Sequence, residues 1–125
     1  RGLGDVYKRQ IFHDPYTGKT MQFETAPGRK IQIDHVVALG NAWKSGAWAW
    51  TKAQREAYAN DPSVLLAADG PANQQKSDAS ADAWLPPNRN FRCAYARQQI
   101  DIKYRWNLTI TTAEKTALLS ALAKC

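Results

Sequence analysis

Residues 31–39 carry a change of period in the pattern of apolar and polar positions. Ile31 and Ile33 alternate with Gln32 and Asp34, as in a strand with one buried face. Beyond His35 the run Val36-Val37-Ala38-Leu39 is wholly apolar and passes into a helical pattern over 38–43, which Gly46 ends. The pair Asp34-His35 stands at the junction. Burying an acid and an imidazole at the end of a strand is expensive for packing alone, so this pair is the first candidate for chemistry.

The same reading extends along the chain. Ile11-Phe12 and Met21-Gln22-Phe23 flank His13-Asp14-Pro15-Tyr16-Thr17-Gly18, which has the turn chemistry of a hairpin. His13 at its shoulder reads as a solvated turn residue. Residues 26–30 are a loop into the strand at 31. Thr51 and Gln54 form a capping box that opens a helix through Ala59, and Asn60-Asp61-Pro62 stops it. Val64-Leu65-Leu66-Ala67 is short, apolar and β-prone, a second central strand. Asp69-Gly70-Pro71 turns the chain, and Pro71 suits the first position of a short helix carrying Asn73 and Lys76. Trp84-Leu85-Pro86-Pro87 is a rigid crossover. Asn88 or Asn90 then caps a long helix to about Trp106, with Phe91, Tyr95, Ile102 and Trp106 near one stripe and Arg92, Arg97, Lys103 and Arg105 elsewhere. Thr111 and Glu114 repeat the capping box for a last helix whose buried side is Leu118, Leu119 and Leu122. Trp43, Trp48 and Trp50, although aromatics can stack on bases, read as core or partial core. The pattern predicts an α+β fold with a small antiparallel sheet, an N-terminal hairpin and several packed helices.

A length of 125 residues and 44% apolar content fit one domain with a single core. No apolar run approaches the roughly 20 residues of a membrane span, so no membrane partner is expected. The net charge of +6 suits a polyanion. Arg1, Lys8 and Arg9 against Asp5 account for two of those charges. They lie in residues 1–10, where Asp5-Val6-Tyr7-Lys8-Arg9-Gln10 is the in-frame translation of the library adapter GATGTGTATAAGAGACAG. Residues 1–10 are therefore read as an assembly scar outside the fold, and 11–125 as a domain truncated at its N-terminus. Cys93 and Cys125 lie in no Cys-x-x-Cys pair, and His13 and His35 are not at zinc-finger spacing, so no structural zinc site is expected. The cysteines are either two buried thiols or a disulfide pinning the last helix to the one before it. A disulfide would contribute roughly 3–4 kcal/mol in the chain-entropy model and imply an oxidising, secreted setting.

The order strand, Asp-His, insert, strand, tight turn and short helix with Asn73 can hold a metal ion between two strands and a helix. Phosphodiester hydrolysis needs an activated water, neutralised charge on the phosphorane and help for the leaving 3′ oxygen. One divalent cation can supply the last two, and a neutral histidine the first. Magnesium takes oxygen donors and keeps several waters, so Asp34 and Asn73 are the expected ligands and His35 is left as the base. Adjacent strand residues point to opposite faces. Asp34 and His35 therefore converge on one phosphate only if the strand ends or bends there. Asn73 and Lys76 share a helix face, which lets Lys76 touch a phosphate beside the metal, with Asp78 behind a ligand or a water.

The runs DHVVALGNAW, AQREAYANDPSVLLAADGPANQQKSD and WLPPNRNFRCAY, in this order and spacing, resemble the HNH endonuclease family. The likeness is to the secreted bacterial branch related to the nuclease domain of GmrSD-type restriction enzymes, and it runs from His13 to Cys125. It implies a ββα-metal (HNH, or His-Me finger) core and cleavage of nucleic acid, DNA before RNA, with one divalent cation, Mg2+ or Mn2+. It implies His35 as general base, Asp34 and Asn73 as metal ligands, Lys76 and Asp78 as the polar tail of the metal-binding helix, and a Cys93–Cys125 disulfide. A secreted bacterial monomer is the expected form. The chain departs from the pattern at Val64, where relatives carry an asparagine that props the loop bearing the base. Valine offers no side-chain hydrogen bond. Asn60 or a backbone group must substitute, or the enzyme is impaired. A basic nucleic-acid-binding domain that has lost catalysis is the alternative.

Overall fold

The computed structural model describes residues 11–22 and 31–125. The adapter-like stretch at 1–10, Phe23 and the loop at 26–30 lie outside the described residues.

Strands β1 (Ile11–His13) and β2 (Thr20–Gln22) form the expected antiparallel hairpin. Its turn is organised by Asp14, whose buried carboxylate accepts the amides of Tyr16 and Thr17 at 3.3 and 2.7 Å. Gly18 takes φ +77°, which costs a glycine little. Asp14 also accepts the amide of Asp69 at 2.8 Å and so ties the hairpin to a second sheet. That sheet pairs β3 (Ile31–His35) with β4 (Leu65–Asp69), antiparallel, with Asp34 opposite Leu66 and His35 opposite Leu65. Val64 is not its first residue. It closes a 3₁₀ turn, Pro62–Val64, that Asp61 caps.

Between β3 and β4 lie α1 (Leu39–Lys44), a 3₁₀ turn (Ala47–Ala49) and α2 (Lys52–Ala59), which opens on the Thr51–Gln54 capping box. Helix α3 (Gly70–Lys76) follows β4 directly. Asp69 accepts the Ala72 amide as its cap, and α3 packs on β3 and β4. Asn88, rather than Asn90, caps the turn Arg89–Phe91 that leads into α4 (Arg92–Arg105). Helix α5 (Thr112–Leu122) opens on the Thr111–Glu114 box, packs along α4 and is joined to it by the Cys93–Cys125 disulfide. No helix among the described residues is long and apolar enough to cross a membrane.

The architecture is α+β, with two small antiparallel sheets and helices around a core of Val36, Val37, Tyr58, Val64, Tyr95 and Ile102. Tyr16 enters this core from the hairpin turn, with Trp84 and Tyr95 packed edge-on at 5.1 and 5.9 Å. Three packing expectations are corrected. Leu119 is exposed, because Leu118 and Ala121 supply the buried face of α5. Trp43 and Trp48 are 49% and 63% exposed, and Trp50 alone of the three packs on the core, against Tyr58 and Trp106. Lys103 is buried: its ammonium lies 2.6 Å from Glu114 and 3.0 Å from Asn41, Ser45 and the Thr109 carbonyl. Every ammonium proton has an acceptor, which is what makes a buried charge tolerable.

Candidate functional site

The site is built where β3 faces α3. Gln32 and Asp34, two apart, share one face of the strand. Asn73 and Lys76, three apart, share one face of the helix. The faces meet in two rungs: Asn73 Nδ2 donates to Gln32 Oε1 at 2.9 Å, and Lys76 Nζ lies 2.9 Å from Asp34 Oδ2. Gln74 adds a second donor to Gln32 Oε1 at 3.0 Å. The Tyr16 hydroxyl also donates to Asp34 Oδ2, and Lys76 Nζ donates to the His35 carbonyl at 2.8 Å.

Asp34, Lys76 and Tyr16 thus form one buried cluster, with Lys76 fully enclosed and Asp34 6% exposed. Burial, reinforced by the neighbouring Asp34 charge, pushes the Tyr16 phenol well above its ordinary range. Burial pulls the Lys76 ammonium down, and Asp34 opposes that pull. Removing one partner of such a pair strands a charge in the interior. Lys76 is therefore not a solvated cation waiting for a phosphate. It positions Asp34 and the main chain of His35 from within.

His35 stays in the ladder as the last residue of β3, so its side chain leaves the face opposite to Asp34. Its half-buried ring turns to the end of α2, with Nε2 2.9 Å from the Ala59 carbonyl. A carbonyl only accepts, so Nε2 carries the proton and Nδ1 keeps the lone pair of the neutral ring. The main chain around it is fixed on both sides. The His35 carbonyl takes Lys76, and the Val36 amide donates to the Val64 carbonyl at 2.8 Å. At Val64, where the resemblance implied an asparagine, backbone groups hold the loop, and the Val64 side chain is wholly buried.

The structure brings Asp34, Asn73 and Lys76 to the β3–α3 face and turns the His35 ring towards α2; the strand stays regular through His35, so the bend on which convergence of Asp34 and His35 depends is not formed here. Asp78 is outside this cluster. It lies beyond α3, mostly exposed, 4.0 Å from Lys44 and packed over Gly40. No group of three or more His, Cys, Asp or Glu residues able to hold a metal occurs among the described residues. The donors that remain are oxygens. Asp34 makes both of its contacts through Oδ2, and Asn73 is held by its nitrogen, which points its Oδ1 away from Gln32. Two such oxygens are the donor type a hard divalent cation that keeps most of its waters would take, and Asp34 would then have to serve it together with Lys76.

Sequence reasoning missed Tyr16, Gln32 and Ala59. Gln32 was within reach, since it alternates onto the same face as Asp34. Tyr16 is the one large aromatic in an otherwise small and polar turn, a weaker signal. Ala59 acts through its carbonyl, which no residue type reveals.

The model of the family described as GmrSD restriction endonucleases, C-terminal domain, matches residues 5–121, beginning inside the stretch read as a scar. An "uncharacterized secreted protein" of Arthroderma benhamiae is 43% identical over 113 residues, covering 89% of this chain and 53% of its own. The chain thus spans about half the length of that relative, which is fungal where the resemblance pointed to bacteria. No solved structure matches.

Proposed function

Starting from a chain that belongs to the family of the C-terminal domain of GmrSD restriction endonucleases, we propose that it is a metal-dependent HNH-type endonuclease with β3, β4 and α3 as a ββα-metal core. Its reaction is hydrolysis of phosphodiester bonds in nucleic acid, DNA foremost. The observation that carries this reading is the state of His35. Its Nε2–H is committed to the Ala59 carbonyl, which leaves Nδ1 as a base at the end of β3. Water attacks phosphorus, its proton passes to Nδ1, and the bond from phosphorus to the 3′ oxygen breaks. Asp34 Oδ1 and Asn73 Oδ1 are the atoms that would hold one Mg2+ or Mn2+; the His35 ring leaves the other face of β3, so action on the same phosphate requires the strand to bend at Asp34-His35 when substrate binds. When bound, such an ion neutralises charge on the phosphorane and the leaving oxygen. Lys76 keeps Asp34 and the His35 carbonyl in place, and Asp78 is left to outer contacts with water or substrate. The disulfide and the secreted relative support an extracellular setting.

One observation favours a second reading. Lys76 already neutralises Asp34, as suits a basic binding domain without cleavage. Plasmid nicking with Mg2+ or Mn2+, with and without chelator, separates the two. The nuclease reading expects chelator-sensitive nicking that His35→Ala abolishes. Retained plasmid binding without nicking by the unaltered chain would leave the binding domain as the answer.

A further inference from the structure

A groove of about 330 Å³ runs between α1 and α2. Its floor is Ala42, Ala47 and Tyr58, one wall is Trp43, and Lys52 and Arg55 stand at its rim. It ends at Ala59, the residue whose carbonyl holds the His35 ring. We propose that this groove receives an unstacked nucleobase of the strand being cut, which makes single-stranded or locally unpaired nucleic acid the preferred substrate. The inference rests on the nuclease reading of His35 and extends it.

Three features point to a base. The groove is lined mainly by apolar and aromatic groups, with Lys52, Arg55 and Glu56 beside them, and its size is at the small end of sites for compact ligands. Its wall is a stacked pair set in advance: the Arg55 guanidinium covers one face of the Trp43 indole at 5.5 Å and is itself held by a 2.6 Å bond to the Trp50 carbonyl, and bases stack on guanidinium planes as on aromatic rings. An aromatic face fixed without its ligand lowers the ordering cost of binding, and stacking on such a face tolerates any base. The rim then matches the flanking phosphates. Lys52 makes an exposed pair at 3.7 Å to Glu56, an acid in the same lining, and such a pair is weak and readily exchanged. Lys44, on the same helix as Trp43, is also exposed. A base inside a duplex has both faces stacked and cannot enter; a base in a free strand can.

The test is fluorescence anisotropy with a labelled single-stranded oligonucleotide, its abasic counterpart of equal length and a duplex, in chelator so that nothing is cut. The unaltered chain should bind the base-bearing strand about tenfold more tightly than the abasic one. Trp43→Ala should lose that preference while keeping its affinity for the abasic strand, and Trp43→Phe should retain most of it. Equal binding of the two strands by the unaltered chain overturns the proposal. So does a preference that survives Trp43→Ala, or self-association that Trp43→Ala abolishes, which would make the groove a contact between copies. If thermal melting shows Trp43→Ala to be unfolded, Leu39→Glu, an exposed position in the same lining, is read in the same way. The two readings fail differently. A wrong groove leaves chelator-sensitive nicking intact, and a wrong nuclease assignment leaves base preference without nicking.

Discussion

His35 is held by two main-chain carbonyls and one ammonium. Its ring rests on the Ala59 carbonyl, its own carbonyl on Lys76, and the next amide on the carbonyl of Val64. That explains why Asp34-His35 was legible as a polar pair at a strand end while its supports were not: side chains are written in a sequence, and carbonyl positions are not. It also changes the meaning of Val64. A position that lacks an expected side-chain donor is not vacant when its main chain does the holding and its side chain fills the core. Val64→Asn should therefore leave nicking no higher than in the unaltered chain. It should also destabilise the fold by about 1–3 kcal/mol, the cost of a buried amide without partners. Urea denaturation and the nicking assay, run on the same preparation, measure both. A gain in activity would mean that the backbone supports are insufficient.

At the scale of elements, local chemistry was the reliable guide. Both capping boxes form as their residues dictate, and Asp-Pro followed by glycine makes the hairpin turn. Expectations failed where the deciding partner is distant. Lys103 is buried because Glu114, on the next helix, and Asn41, on α1, meet it there. Asp78 likewise makes a contact that its sequence neighbours do not show: it covers α1 at Gly40, where a Cβ would lie 2.8 Å from its carboxylate and 2.9 Å from its own Cβ. A helical Gly→Ala change ordinarily favours a helix by up to about 1 kcal/mol. Here overpacking should prevail: Gly40→Ala is expected to destabilise by about 1–3 kcal/mol. Adding Asp78→Gly should relieve much of the strain, since it removes both close atoms. Thermal melts of the single and double variants decide this, and a stabilised Gly40→Ala would show that the segment after α3 yields freely.

The whole molecule is stabilised by one covalent tie and by a buried polar interior, and each gives a measurable response to conditions. The disulfide spans 32 residues from the start of α4 to the end of the chain, away from β3 and α3. Reducing it should cost roughly 3–4 kcal/mol in urea denaturation and leave nicking unchanged under conditions where the protein stays folded. The response to alkali follows from Tyr16, Tyr58 and Tyr95. Burial first, then nearby carboxylates (Asp34 in each case, with Asp61 the larger for Tyr58), raises all three phenols above their ordinary value of 10.0. Above about pH 10 the unfolded chain releases these protons and the native chain keeps them, so their contribution to stability is complete below that pH and is lost as pH rises. Each contributes a loss of about 1.4 kcal/mol per pH unit. Lys76 acts in the opposite sense, because its lowered affinity lets the native chain release a proton that the unfolded chain retains up to about 10.5. Three groups outweigh one, and stability should fall steeply beyond pH 10. Tyrosinate absorbance, followed through the alkaline range, is the measurement that checks this. The signal of the three buried rings should appear only together with the loss of near-ultraviolet circular dichroism. If all the tyrosines titrate smoothly while that dichroism persists, the buried cluster of Tyr16, Asp34 and Lys76 is open to solvent, and the positioning role given to Lys76 falls with it.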